Sequence, residues 1–310
     1  MNLENPSKIQ SVGVVVVTHN AEEWLPFCLD SLRKSNHPVS AVVVDNASSD
    51  HTVQVIREQY PEVHLITSTR NLGFVNANNL AFQNIGAVDA VYLLNQDACI
   101  YPDTIDRLAQ SLDCHPDFGV VSPVHLKRDG IQLDASFRSF LEGNRLESTL
   151  PGNDRFVEVS FVNAAHWLIR KTCLDALGGF APIFFHYGED VNFTQRARHA
   201  GWRIGIDMDA KAIHAREGRP GSAERDLLEL YGSFLVYACR PDLPAWQAIP
   251  GAWRRLIYNL FAMEVRPPRA FARSLPHAAS DLSDILKTRR QLRADTTLPA
   301  ASSVLATSSH

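Results

Sequence analysis

Four times within the first 115 residues a short apolar run breaks off at a cluster of polar side chains, and the residues after each break repeat their apolar positions at helical spacing. That alternation points to an α/β fold whose parallel strands are joined by right-handed helical crossovers. Residues 12–17 are all valine except Gly13, the composition of a strand buried on both faces, and they stop at Thr18, His19 and Asn20. Asn20 is placed to cap the next helix, with Glu23 three positions on in a capping-box pattern. Trp24, Leu25, Cys28, Leu29 and Leu32 then recur at helical spacing. The second run, 41–44, ends in Asp45-Asn46-Ala47-Ser48-Ser49-Asp50, with Asp50 at the start of another helix. The third, 63–67, leads through Arg70, Asn71, Leu72 and Gly73 into an asparagine-rich helix over 75–85. The fourth begins at Ala90 and ends in Asn95, Gln96 and Asp97, after which Tyr101, Pro102 and Asp103 open a helix with proline at an early position.

In open α/β sheets ligands bind beyond the carboxyl ends of the strands. Asp97 at such an end either holds a divalent cation that bridges to phosphate oxygens or caps the following helix. Asp45 either accepts hydrogen bonds from a base or ribose or shapes its own turn. No Gly-x-Gly-x-x-Gly follows the first strand and no Gly-Lys-Ser/Thr occurs there, which argues against a dinucleotide fold and a P-loop.

Beyond residue 117 the alternation loosens. Residues 120–124 read as a strand, 131–137 as a further strand, and 141–154 as a loop rich in glycine, asparagine and charge. Residues 157–169 suit strands interrupted at 163–165, and 170–177 read as a helix stopped by Gly178 and Gly179. Glu189 and Asp190 then open a helix that runs to His199, preceded by Phe184, Phe185, His186 and Tyr187. Acids in a first turn are favoured by the helix dipole. An aromatic setting also desolvates a carboxylate and raises its pKa toward that of a general base. Two strands, 202–206 and 211–214, follow, the second ending at His214, either a structural histidine or a ligand. From 223 onward the pattern is helical, and beyond Pro250 the apolar Trp253, Leu256, Ile257, Leu260 and Phe261 share a helix with Arg254 and Arg255. Such a helix lies in a membrane interface or packs on its own domain.

A chain of 310 residues with 45% apolar content supports one large α/β domain with an appendage or two small domains, and its net charge of −4 gives no basis for nucleic-acid binding. The charge is uneven: in 246–293 nine Lys or Arg face three acids, a net +6 that leaves −10 to the remainder. Five scattered cysteines without a Cys-x-x-Cys pair fit a reducing compartment, not a disulfide or zinc framework. Residues 1–10 lack a signal pattern, and the apolar stretches fall short of the roughly 18 residues that span a bilayer. The expected location is cytoplasmic, either free or peripheral on the inner membrane.

In order along the chain, Val16-Val17-Thr18-His19-Asn20, Val44 to Asp50, Asn71-Leu72-Gly73-Phe74, Leu93 to Ala98, Gly178-Gly179-Phe180, Gly188-Glu189-Asp190-Val191, Gly201-Trp202-Arg203-Ile204 and His214 resemble the motifs of family 2 glycosyltransferases of the GT-A fold, most closely the bacterial rhamnosyltransferase-like branch. The resemblance implies a Rossmann-like nucleotide-binding sheet, mixed and mostly parallel, flanked by helices and followed by a C-terminal helical extension. It divides the chain into a catalytic domain over 1–222 with a nucleotide-binding half (11–117) and an acceptor-binding half (118–222), helices over 223–294 and a disordered tail over 295–310. It implies that Asp45 contacts the base, with Thr18, Asn20, Asn71, Gly73, Asn95, Gln96 and Arg216 completing the donor site. It implies further that Asp97 holds Mg²⁺ or Mn²⁺, that His214 reaches that metal or the diphosphate, and that Asp190, with Glu189 beside it, is the base.

The implied reaction is inverting transfer of a sugar, rhamnose from dTDP-rhamnose first and otherwise a UDP-sugar, to a saccharide or lipid-linked saccharide in cell-surface polysaccharide or glycoconjugate synthesis. Three positions depart from the family pattern: Asn95 stands for the first Asp of the metal motif, Asn192 for a common Asp, and Ala215-Arg216-Glu217 follows His214. A catalytically inactive GT-A binding protein and a sugar nucleotidyltransferase are the alternatives.

Overall fold

The computed structural model describes residues 8–143, 155–215, 223–262 and 282–294. Its first half alternates as β1 (Val12–Thr18), α1 (Leu25–Arg33), β2 (Val39–Asn46), α2 (Thr52–Gln59), β3 (His64–Ser68), α3 (Gly73–Asn84) and β4 (Ala90–Asn95). A short β5 (Ala98–Ile100), α4 (Thr104–Cys114), β6 (Phe118–Leu126), α5 (Ala135–Gly143), β7 (Phe156–Val159) and β8 (His166–Arg170) follow. Then come α6 (Lys171–Leu177), α7 (Glu189–His199), β9 (Arg203–His214), α8 (Ala223–Ala238), α9 (Ala245–Ala262) and α10 (Leu282–Ala294).

The nine described strands join one mixed sheet in the order β3-β2-β1-β4-β8-β6-β9-β5, with β7 paired to β9. β1, β2, β3 and β4 are mutually parallel where they pair, so their carboxyl ends share one edge. β8 enters antiparallel between β4 and β6, which turns β6 and its parallel partner β9 back to the direction of β4. The end of β9 therefore returns to that same edge. Alternation along β1 sends Val12, Val14 and Val16 into a core with Leu25, Leu29, Ile105 and Leu108, while Val15 faces Val75, Ala77 and Ala81. Both faces are covered, which is why the strand contains no polar residue before Thr18.

Three local expectations are corrected. Asn20 does not cap α1: it sits at φ 49°, α1 begins only at Leu25, and the Asn20 side-chain oxygen accepts the Ser49 amide at 2.8 Å instead. Residues 131–137 do not form a strand. Asp129 accepts the amides of Ile131 and Gln132, and Asp134 accepts that of Phe137, so a turn and a capped helix replace it. Phe137 and Leu141, one helical turn apart in α5, are fully buried, whereas Ile131 is 83% exposed. Finally, 202–206 and 211–214 are one strand, because Asp207 accepts the amides of Asp209 and Ala210 and absorbs the irregularity without ending β9.

The C-terminal helices pack on the domain: Phe234 and Leu235 of α8, Ala252 and Leu256 of α9, and Ile285 of α10 join the core that contains α3, α6 and α7. Arg289, counted in the basic stretch, is buried and donates to the carbonyls of Ala238, Arg240 and Leu243. The expected tail at 295–310 lies outside the described residues. No helix among the described residues is long and apolar enough to cross a membrane.

Candidate active site

The strand ends are level: Thr18 is opposite Asp45, and Val17 is opposite Asn95. Asp45, 2% exposed, accepts the Ser48 amide at 3.2 Å and the Ser48 hydroxyl, with Thr18 Oγ1 3.4 Å away. Its turn is thus shaped by the carboxylate itself. Asn46, which the sequence reading passed over, ties this end to the start of α3. Its oxygen accepts the Leu72 amide at 2.7 Å and its amide group donates to Asn71 Oδ1 at 3.1 Å and to the Gly73 carbonyl at 3.3 Å. Asn71 Oδ1 also accepts the Gly73 amide at 2.8 Å. At φ 77° with Phe185 packed where a Cβ would stand, only glycine fits position 73 without strain. Asn71 and Gly73 therefore build the loop, and the Phe74 amide extends it by donating to the Phe185 carbonyl at 3.0 Å. Through that contact the segment before α7 is held against the strand edge.

Gln96 bridges two strand ends, accepting the His19 amide at 2.7 Å and donating to its carbonyl at 3.3 Å. Asn95 is held by its backbone, which donates to the Ala165 carbonyl at 3.3 Å. Immediately beyond, β5 pairs antiparallel with the end of β9, Ala98 opposite His214. That register sets His214 Nε2 3.5 Å from Asp97 Oδ1, with both side chains almost wholly buried. The Ala215 amide, donating to the Asp97 carbonyl at 2.9 Å, fixes the pair from the backbone.

Two further buried histidines surround His214, with ring centroids 6.2 Å away for His166 and 6.4 Å for His125. His166 is held neutral: burial, then the neighbouring His214, pushes it down to about 3. Its Nε2 donates to the Ile213 carbonyl at 3.1 Å, so Nδ1 accepts the Tyr92 hydroxyl at 2.9 Å. His166 therefore braces the carbonyl next to His214. No spacing in the sequence marks this bracing, because the partners come from three separate strands.

Asp97 and His214 offer one oxygen and one nitrogen to a divalent cation. No group of three or more His, Cys, Asp or Glu among the described residues forms a metal cage. Two protein donors still suit Mg²⁺ or Mn²⁺ at a nucleotide site, since such ions fill their remaining positions with phosphate oxygens and water. A separation of 3.5 Å also leaves room for one ion between them, since Mg²⁺ takes its ligands at about 2.0–2.1 Å.

At the start of α7 the two acids differ. Glu189 is 7% exposed, its Oε2 has no hydrogen-bond partner, and burial followed by the charge of Asp190 pushes its carboxyl up to about 8. Asp190 is half-buried and its Oδ1 accepts the Val191 amide at 2.7 Å. Burial thus desolvates Glu189. Arg216 lies outside the described residues.

A mixed, mostly parallel sheet flanked by helices and followed by C-terminal helices matches the GT-A fold of glycosyltransferases. The glycosyl transferase family 2 profile matches residues 13–178, more than half of the chain, and the chain belongs to that family. Among curated relatives, an N-acetylglucosaminyl-diphospho-decaprenol L-rhamnosyltransferase of Mycobacterium tuberculosis is 26% identical over 238 residues, covering 67% of this chain and 77% of the relative. Among solved structures, Staphylococcus aureus TarS 1-349 in complex with UDP-GlcNAc matches 92% of this chain and 88% of its own at TM-score 0.59 and 20% identity. A mannosyltransferase of Pyrobaculum calidifontis in complex with GDP-Man and Mn²⁺ matches 94% of this chain and 87% of its own at TM-score 0.54 and 22% identity.

Proposed function

We propose that this family 2 enzyme transfers a sugar with inversion from a nucleoside diphosphate sugar, dTDP-rhamnose first among the candidates and a UDP-sugar next, to a hydroxyl of a saccharide acceptor in cell-surface polysaccharide or glycoconjugate synthesis. The observation that carries the reading is the pairing of β5 with β9, which sets Asp97 beside His214 on the strand edge that also bears Asp45. The rhamnosyltransferase relative supports rhamnose as the first donor and an N-acetylglucosaminyl diphosphate lipid as the first acceptor.

In this mechanism Asp45 and the Asn46-Asn71 loop receive the nucleotide, with Thr18, Asn20, Asn95 and Gln96 around the same edge. A divalent cation held by Asp97 and His214 would supply positive charge next to the diphosphate. Asp190 takes the proton of the acceptor hydroxyl as that oxygen attacks the anomeric carbon opposite the leaving diphosphate. Glu189, holding its own proton near neutrality, spares Asp190 a second adjacent negative charge.

The test is a thermal-shift panel of dTDP, UDP, GDP and their sugar conjugates, with and without Mn²⁺, followed by product analysis with the nucleotide sugar that binds. A ligand at 100 times its dissociation constant adds about 2.7 kcal/mol of stability, which such a panel resolves. A metal-dependent shift with one nucleotide and release of that nucleotide on adding acceptor is the expected result. Binding without turnover over a broad acceptor panel would replace the enzyme by the inactive binding protein, and a metal-independent shift would remove the role given to Asp97 and His214.

A further inference from the structure

Away from the donor edge, a cavity of about 480 Å³ opens where α7, α8 and α9 meet, and its wall includes Tyr187, Gln195, Ser233, Tyr237, Arg240 and Arg255. It begins at Tyr187 and Gly188, the two residues before Glu189 and Asp190, and follows α7 through Val191 to Gln195. Its position relative to the base is set by close backbone packing. A Cβ on Gly232 of α8 would lie 2.4 Å from the Tyr187 carbonyl oxygen, and one on Gly188 would lie 3.0 Å from the Gly232 oxygen. Tyr187 itself is held at φ 68°, a conformation costly for a non-glycine residue and common where a site is preorganised.

The wall is chemically mixed. The Tyr237 ring lies 5.5 Å from the Arg240 guanidinium and 5.9 Å from that of Arg255. Arg240 is paired with Asp242, and Glu229, the one carboxylate on the wall, with Arg225, whereas the ion pairs among the described residues give Arg255, exposed on α9, no carboxylate. Gln195 brings a buried side-chain oxygen that has no hydrogen-bond partner, and Ser233 an exposed hydroxyl. Aromatic surface with neutral polar groups suits a sugar ring, and an uncompensated guanidinium suits a phosphate.

We propose that this groove seats the acceptor as a saccharide bearing a phosphate or diphosphate, its ring against Tyr187 and Tyr237 and its phosphate on Arg255 with Arg240. This rests on Asp190 being the base of the proposed transferase, since the wall starts at the two residues before Glu189 and Asp190, although neither acid lines it. The phosphate belongs to a lipid-linked saccharide or to a free sugar phosphate. The exposed Ile257 and Tyr258, just past Arg255 on α9, give a lipid chain somewhere to lie.

The experiment measures equilibrium binding by the full chain to three probes: N-acetylglucosaminyl diphosphate carrying a ten-carbon prenyl chain, N-acetylglucosamine 1-phosphate, and N-acetylglucosamine. Wild type is compared with Arg255→Gln and with Ser233→Trp, which fills the groove from an exposed position, and dTDP and UDP binding is measured on the same samples. Both phosphorylated probes should bind at least tenfold tighter than the bare sugar. Arg255→Gln should remove that preference, and Ser233→Trp should abolish binding of all three while leaving nucleotide binding intact. Tighter binding of the prenyl probe than of the 1-phosphate identifies a lipid-borne phosphate, and equal binding a free one. Nucleotide binding with no phosphate preference, or with phosphorylated probes bound equally by all three proteins, overturns the groove and leaves the proposed function standing. Failure of every nucleotide to bind wild type fells the proposed function and this inference with it.

Discussion

Burial separates two adjacent acids, Glu189 and Asp190, and the separation underlies the different roles proposed for them. Glu189 is buried with its carboxyl pushed up to about 8, while Asp190, the proposed base, is half-buried. Asp190→Asn should lower kcat by about 10²- to 10⁴-fold with donor binding unchanged, read from steady-state kinetics beside nucleotide titrations. Turnover near wild type would move the base to another residue. For Glu189 the sign follows from the raised value. The folded protein keeps a proton that the unfolded chain gives up above the ordinary 4.5, so stability falls as pH rises from there toward about 8. Urea unfolding from pH 5 to 8 should show wild type losing up to about 1.4 kcal/mol per pH unit relative to Glu189→Gln, and parallel profiles would contradict it. The motif Gly188-Glu189-Asp190-Val191 marked both acids in the sequence, but which of them faces the core depends on how α7 lies against α6 and β9. Asn46 and His166 were illegible for the same kind of reason, since their partners are distant in the chain.

At the scale of elements, the parallel strands were readable because burial on both faces leaves an unbroken apolar run, as in β1 and β4. β5 was not, since three residues carry no period, although this strand brings Asp97 to His214. Residues 131–137 misled because apolar side chains at 131, 133 and 137 fit a strand until Asp129 and Asp134 bend the backbone. The contact between α8 and the start of α7 is equally invisible in sequence, yet it is tight: Gly232 meets the Tyr187 carbonyl where a Cβ has no room. Gly232→Ala should cost about 1–3 kcal/mol through forced displacement of α8. The same change should raise the acceptor KM more than the donor KM, because the proposed donor edge is built from β1, β2 and β4. A loss of stability with both KM values unchanged would confine Gly232 to packing.

For the whole molecule, the C-terminal helices decide whether the chain works free in solution or against a bilayer. α9 buries Ala252 and Leu256 against the domain and turns Trp246, 73% exposed, and Tyr258, 71% exposed, outward with Ile257 and Arg254. The packing reading of this helix is thus realised on one face; the other face presents aromatic and basic side chains of the kind that settle at headgroup level, and a membrane contact there is a proposal. The basic surplus of 246–293 supports the outer reading only in part, because Arg289 is consumed by backbone carbonyls. The chain should float with vesicles containing anionic lipid, and the Trp246→Ser, Tyr258→Ser double variant should recover several-fold less protein in the floating fraction. Raising salt toward 1 M shortens the Debye length to about 3 Å, so it should weaken the arginine contribution and leave the aromatic one. Wild type and the double variant floating equally at both salt concentrations would take the membrane contact away from α9.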